Sequence, residues 1–323
     1  MSKPKVVVTR KWPKQVEAKL KVLFDVKLNE DDHQMSVAEL HEALQTADAL
    51  CPTVSDNISA EVLNADAKTV KVLGSYGVGF NHIDLHAAKA NKLVVTNTPE
   101  VLTDCTADLA MTLMLMAARR AGEGERHVRH KEWTGWRPTH MIGTKVTGEV
   151  LGLVGMGRIA RAMAHKAHHG FGMKIIFCDP YPPPQDLVDS LQAESRDTME
   201  EVLQEADVVS LHCPGGKETY HLINEERLAM MKESAILVNS ARGDVVDSEA
   251  LIKALKSGVI AAAGLDVFEG EPNIAEGFRD LENAVLLPHL GSATMETRVA
   301  MGMRVIDNLS AFFAGEEPGD RVV

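Results

Sequence analysis

Short apolar, β-branched runs alternate with stretches of helical spacing from one end of the chain to the other. Residues 6–8, 70–73, 93–96, 150–154, 174–178, 207–212, 235–239, 261–267 and 284–287 predict strands. Residues 36–44 predict a helix: Ser36 is the N-cap and Glu39 completes a capping box. Residues 247–256 predict another, stopped by Gly258. Apolar strands separated by helices argue for parallel sheets covered on both faces, so the class is α/β, doubly wound.

A long helix near residues 100–121 precedes a polar, tryptophan-bearing loop, 127–143, and a second long helix, 295–314, closes the chain. Two such helices suggest crossings between lobes. The expected division is a discontinuous lobe, residues 1–99 and 291–323, with residues 100–290 inserted as a second lobe. The length of 323 residues agrees, because it exceeds what one hydrophobic core usually supports. The net charge of -12 would repel phosphate backbones and anionic lipid, which argues against nucleic acid and membrane as partners. No apolar run approaches the roughly 20 residues needed to cross a bilayer. Cys51, Cys105, Cys178 and Cys213 form no CxxC pair, so buried structural thiols and a cytoplasmic setting are expected. The tract Pro182-Pro183-Pro184 reads as a stiff local loop.

The run Val150-Leu151-Gly152-Leu153-Val154-Gly155-Met156-Gly157-Arg158-Ile159-Ala160 places Gly-x-Gly-x-x-Ala between a buried strand and a helix. Gly155 permits the tight turn, Gly157 lets backbone approach a pyrophosphate, and Ala160 lets helix and strand pack closely. The helix N-terminus then offers unpaired N–H groups to phosphates. Asp179 ends the next strand, 22 residues beyond Gly157, where it can bond an adenosine ribose. Its charge would repel a 2′-phosphate, and Pro180, Tyr181 and Pro182 bring no arginine, so NAD(H) is expected over NADP(H).

Three stretches follow in order: Val238-Asn239-Ser240-Ala241-Arg242-Gly243, Gly264-Leu265-Asp266-Val267-Phe268-Glu269-Gly270-Glu271-Pro272 and Leu287-Pro288-His289-Leu290-Gly291. Arg242, Glu271 and His289 each fall at or just past a strand end, the edge that faces the ligand crevice in open α/β sheets. Singly, each has a bland reading as a solvated arginine, a turn or a capped loop. Jointly, beside a dinucleotide motif, they point to catalysis. The histidines His127 and His130, and His165, His168 and His169, read as helix-surface or loop residues without a carboxylate at ligand spacing, so no metal is expected.

With these motifs the chain resembles the D-isomer-specific 2-hydroxyacid dehydrogenase family over essentially its whole length. The resemblance implies a Rossmann NAD-binding domain, residues 100–290, inserted in a discontinuous flavodoxin-like substrate domain. It implies Arg242, Glu271 and His289 in catalysis. It implies Gly155, Gly157, Arg158, Ile159, Asp179, Cys213, Pro214, Ser240, Ala241, Arg242, Asp266, His289 and Thr106 at the cofactor, with Asp266 near the nicotinamide carboxamide. Ser75-Tyr76-Gly77-Val78-Gly79-Phe80-Asn81-His82-Ile83-Asp84 matches the family's substrate-carboxylate loop.

The chemistry suits these residue types. Hydride reduction of a ketone develops negative charge on oxygen, and a proton must arrive there. His289 as imidazolium is a suitable acid, and Glu271 bonded to it would fix the ring and favour its charged form. Arg242 can hold the substrate carboxylate or carbonyl through its planar fork, and the N–H groups of Val78 and Gly79 can hold the carboxylate's other oxygens.

Trp133-Thr134-Gly135-Trp136-Arg137-Pro138 resembles the glyoxylate/hydroxypyruvate reductase branch. So do Asn97-Thr98-Pro99 with Leu102-Thr103-Asp104, and Leu211-His212-Cys213-Pro214. That branch implies a homodimer with the tryptophan loop at its interface. Either Trp136 reaches the partner's active site and narrows it for two- or three-carbon acids, or both tryptophans only anchor the interface. Formate-type relatives carry glutamine where Glu271 stands, and many phosphoglycerate-type relatives add a C-terminal regulatory domain where this chain stops at Val323. D-lactate-type enzymes and NAD-sensing corepressors with this fold are the remaining alternatives.

Overall fold

The computed structural model describes residues 2–65, 67–181 and 183–323, so Pro182 of the proline tract lies outside the described residues. The chain divides into two compact units, Met1–Leu102 with Ser292–Val323, and Thr103–Gly291.

The first unit runs β1 (Lys5–Val8), α1 (Lys14–Leu23), β2 (Asp25–Lys27), α2 (Val37–Thr46), β3 (Ala49–Cys51), α3 (Ala60–Leu63), β4 (Val72–Gly74), α4 (Leu85–Ala90) and β5 (Val94–Thr96). The second runs α5 (Thr103–Ala118), α6 (Ala121–Arg129), β6 (Val150–Val154), α7 (Arg158–Phe171), β7 (Lys174–Cys178), α8 (Gln185–Ser190), β8 (Glu194–Ser195), α9 (Met199–Glu205) and β9 (Val208–Leu211). It continues with α10 (Glu225–Leu228), β10 (Ile236–Asn239), α11 (Ser248–Ser257), β11 (Ala262–Leu265) and β12 (Ala284–Leu286). Helix α12 (Met295–Ala314) returns the chain to the first unit.

The first sheet has the order β2-β1-β3-β4-β5 and the second β12-β11-β10-β9-β6-β7-β8, with every strand pair parallel. These are the flavodoxin-like and Rossmann orders. In the second, the winding reverses between β6 and β9, which opens a crevice at their C-terminal ends. Alternation along a strand covers both faces: in β10, Ile236 and Val238 join one apolar cluster and Leu237 the other.

Local chemistry sets the helix ends. Ser36 and Glu39 form the reciprocal capping box on α2, and Gly258 takes φ +72° to stop α11. The predicted helix near 100–121 is instead two, because Arg120 adopts a left-handed φ of 51° between α5 and α6. His127 therefore sits on α6, not in the loop. It also has a carboxylate partner, since the chain folds back past α6 and brings Glu132 Oε2 to 3.0 Å from its Nδ1. No group of three or more metal-ligating side chains forms among the described residues. Only Cys51 is buried; Cys105, Cys178 and Cys213 are half-buried at strand or helix ends, which corrects the expectation of four buried thiols. Among the described residues no helix is long and apolar enough to cross a membrane.

Candidate active site

β6 delivers the glycine turn. Gly155 has φ +91°, and a Cβ on it would lie 3.0 Å from the carbonyl carbon and oxygen of His212, so only glycine fits. Gly157 is the N-cap of α7 with no side-chain cap, and a Cβ there would meet nothing within 4 Å. No side chain therefore caps the first turn, the end of a helix that suits an incoming anionic acceptor. Arg158 is exposed at the first helical position, Ile159 is half-buried and Ala160 is buried. Asp179, just past β7, accepts from the Met156 N–H at 2.5 Å and from the Tyr181 N–H at 2.7 Å. Its carboxylate is thereby tied to the glycine turn itself.

Past β9 lie His212, Cys213 and Pro214. Desolvation holds the His212 imidazole down to about 4, although part of the residue reaches the surface, and the ring is 2.9 Å from Ser210 Oγ. Burial pushes the Cys213 thiol up to about 11, so it is not a nucleophile at neutral pH. The Pro214 carbonyl accepts from the Thr219 hydroxyl at 2.6 Å.

Past β10, Asn239 braces the Ser240-Ala241-Arg242 turn. Its Oδ1 accepts from the Ala241 N–H at 3.0 Å, and its Nδ2 donates to the Arg242 carbonyl at 2.9 Å. Ser240 Oγ is buried with no protein partner. Arg242 Nη1 donates to the Ala241 carbonyl at 2.6 Å. Burial lowers the Arg242 pKa against the pull of Asp244 and Glu271, but a guanidinium stays charged.

Past β11, the 1%-exposed Asp266 organises the next loop. Its carbonyl accepts from the His289 N–H at 2.9 Å, and its carboxylate accepts from Leu290 at 2.6 Å and Gly291 at 2.8 Å. Burial pushes this carboxyl up, opposed by those two N–H groups and by His289. Thr106 on α5 lines the same spot: a Cβ on Gly291 would lie 3.3 Å from both Thr106 Cγ2 and Asp266 Oδ2.

His289 is held in the left-handed region, φ +55°, where its Nδ1 lies 2.8 Å from Glu271 Oε2. Glu271 Oε1 accepts from the Phe268 N–H at 2.7 Å. Burial raises the Glu271 carboxyl, but the bond and charge of His289, the Phe268 N–H and Arg242 outweigh it and hold it below its ordinary value. The pair borders a cavity of about 300 Å³ that Phe268, Pro272, Ile274 and Pro288 also line. With Nδ1 engaged, Nε2 is the ring nitrogen free to exchange a proton with a ligand.

In the first unit, the Ser75–Gly79 loop follows β4. Tyr76 donates its N–H to the Pro52 carbonyl at 2.8 Å and its hydroxyl to the Arg298 carbonyl, and its ring packs 4.6 Å from Trp12. Burial pushes the Tyr76 phenol up to about 12. The Gly77 and Val78 carbonyls accept from the Thr98 N–H at 3.0 Å and from Asn97 Nδ2 at 2.8 Å. Val78 and Gly79 themselves are half-buried. Trp133 and Trp136, in the loop after α6, are 55% and 82% exposed.

The second unit thus gathers the glycine turn, Asp179, Arg242, Asp266, Glu271 and His289 at one sheet edge, while Val78 and Gly79 belong to the first unit. Asn239 and Asn97 brace these loops; both stand in motifs quoted from the sequence, but neither is given a role there. The signal for that role is an asparagine directly at or after a strand end, where amides commonly bond local backbone.

A model of the D-isomer specific 2-hydroxyacid dehydrogenase NAD binding domain matches residues 111–291. The glyoxylate reductase of Thermococcus onnurineus (strain NA1) is 46% identical, over 98% of this chain and 95% of its own. The glycerate dehydrogenase of Hyphomicrobium methylovorum is 38% identical, over 98% of both. An NADPH-dependent glyoxylate/hydroxypyruvate reductase from Sinorhizobium meliloti, solved with NADP and malonate, superposes with a TM-score of 0.88 at 31% identity, over 100% of this chain and 97% of that one. On the strength of a match through the whole second unit's site and of full-length relatives, this chain belongs to the D-isomer specific 2-hydroxyacid dehydrogenase family.

Proposed function

We propose that this chain uses NADH to reduce glyoxylate and hydroxypyruvate to glycolate and D-glycerate. The residues fit a dinucleotide: Gly157 opens onto space in front of uncapped N–H groups, and the Ser240 hydroxyl is buried without a protein partner. Gly155, Gly157, Arg158 and Ile159 would hold the pyrophosphate and Asp179 the adenosine ribose. Cys213, Pro214, Ser240, Ala241, Asp266 and Thr106 would line the rest of the cofactor's path. When bound, the nicotinamide supplies the hydride to the carbonyl carbon.

The side chains do the rest. Arg242 holds the substrate carboxylate or carbonyl by paired N–H groups, and in the first unit the Val78 and Gly79 N–H groups are donors suited to a carboxylate. His289 donates its Nε2 proton to the carbonyl oxygen as negative charge develops there, and Glu271, 2.8 Å from Nδ1, holds the ring in place for that transfer. Hydride on carbon and proton on oxygen complete the 2-hydroxy acid. In the reverse direction neutral His289 takes the hydroxyl proton. The observation that carries this reading is the 2.8 Å His289–Glu271 contact, with the half-buried Arg242 close enough to pull on the Glu271 carboxyl.

A homodimer follows from the same reading, with Trp136 of the partner subunit at the mouth of the site. The 82% exposure of Trp136 and the 65% exposure of Ile142 support a covered face. The deciding experiment follows NADH oxidation with glyoxylate, hydroxypyruvate and pyruvate in turn, then with NADPH. Fast turnover of the first two acids with NADH is expected. Absence of turnover with all three would refute the proposal.

A further inference from the structure

We infer that Asn97, clamped by Asn308 and Asp320, is the positioning residue that aims the substrate-carboxylate loop, an inference that rests on Val78 and Gly79 as the carboxylate donors. The argument begins with the planar peptide. In a trans peptide the C=O of one residue and the N–H of the next point in opposite directions. The Gly79 N–H therefore points away from the direction of the Val78 carbonyl, and the Val78 N–H away from that of Gly77.

Both carbonyls are pinned from one side by consecutive residues. Asn97 Nδ2 donates to the Val78 carbonyl at 2.8 Å, and the Thr98 N–H donates to the Gly77 carbonyl at 3.0 Å. Each N–H is thereby turned away from the carbonyl that these bonds fix, and its direction is set before any ligand arrives. A hydrogen bond accepted at a carbonyl also polarises its peptide and strengthens the N–H as a donor. Two such peptides make a preorganised anion nest instead of a loop that must be ordered by each substrate.

Asn97 is itself held by a segment far away in sequence. Its N–H donates to the Asp320 carbonyl at 3.2 Å, and its carbonyl accepts from Asn308 Nδ2 at 3.3 Å. Asn308 and Asp320 bind each other twice, through Nδ2 to Oδ2 at 2.9 Å and through the Asp320 N–H to Oδ1 at 3.2 Å. Arg304 grips both Asp320 carboxylate oxygens at 2.6 and 2.9 Å. Val322 and Val323 pair with Val95 on β5, at 2.7 and 3.0 Å. The chain of contacts runs from α12 through Asp320 to Asn97 and on to the Val78 carbonyl, all within the first unit.

The test compares Asn97→Ala and Asn308→Ala with the wild type. Asn97→Ala removes the donor to Val78 and leaves the backbone bonds of residue 97 in place. The KM for glyoxylate is expected to rise about tenfold, with a smaller change in kcat and an unchanged Kd for NADH. Asn308→Ala, one step removed, is expected to raise KM about threefold with the same split. A wild-type KM in Asn97→Ala overturns the inference. So does a parallel loss of NADH affinity, which marks a general structural role. Wild-type enzyme that fails to turn over glyoxylate sinks the underlying reading as well, whereas normal wild-type turnover with an unmoved KM in the variant sinks this inference alone.

Discussion

Gly243 lies against the backbone of Phe268 so closely that a Cβ on it would stand 1.9 Å from the Phe268 carbonyl carbon. The contact joins two loops at the same sheet edge: Gly243 follows Arg242, and Phe268 gives its N–H to Glu271. Gly243→Ala must push one backbone off the other, which moves either the guanidinium or the carboxylate. Misplacement on the ångström scale costs on the order of a hundredfold in rate, so kcat/KM is expected to fall about that much. Gly258→Ala is the control. Gly258 has φ +72° and open space around its Cβ, so it should lose about 1 kcal/mol of stability and no activity. Steady-state kinetics and thermal unfolding on both variants check the contrast, and equal activity losses would refute it.

Glu271→Gln keeps the shape and removes the charge that faces His289. The expected result is a loss of about a hundredfold or more in kcat for glyoxylate reduction, with NADH affinity retained. The variant also has a pH signature in stability. The native Glu271 carboxyl lies below its ordinary value of 4.5, so its ionised form contributes fully above that value and the contribution is lost as pH falls through the native one. The stability gap between wild type and Glu271→Gln should close as pH drops from about 4.5 downward. Denaturant unfolding across that range measures it, and a gap that widens in acid would contradict the pairing.

The legible parts of the fold share one property, that their physics is local. All four residues of β9 and of β10 are buried, so both read as apolar runs. Three short strands are not predicted: the central β3, whose buried Ala49-Leu50-Cys51 is too short a run to stand out, and the edge strands β2 and β8. β2 is Asp25-Val26-Lys27 with its two charged residues exposed, and β8 is the exposed pair Glu194-Ser195, so neither carries an apolar signal. Within the site, the residue types of Arg242, Glu271 and His289 were readable from motif order. Their conformations were not. The left-handed φ of His289 is imposed by Asp266, whose carbonyl and carboxylate take three successive N–H groups from residues 289–291. No local preference of Pro288-His289-Leu290 announces such a clamp.

Asp179→Ser tests which dinucleotide the glycine turn accepts. The carboxylate is fixed by Met156 and Tyr181 N–H groups, so it cannot swing away from a 2′-phosphate. Removing it takes away both the repulsion and the ribose acceptor. The NADH kcat/KM is expected to fall about tenfold and the NADPH-to-NADH ratio to rise by at least that factor. A ratio that stays at the wild-type value would mean that another residue reads the ribose.

Trp136 separates two roles that the single chain leaves equally open. At 82% exposure it is too apolar and too bare to be an ordinary surface residue, so a partner surface is expected to cover it. Sedimentation should give about twice the 35.1 kDa chain mass for the wild type. If Trp136 of the partner subunit narrows the site, Trp136→Ala should remain dimeric. Its kcat/KM for pyruvate or a bulkier 2-oxo acid should rise several-fold relative to glyoxylate, because opening the pocket removes a steric penalty against longer chains. If the indole only anchors the interface, the dimer should dissociate at higher concentration while substrate ratios hold, since aromatic anchors carry binding energy and not selectivity. Kinetics that match wild type for every acid would remove Trp136 from the active site.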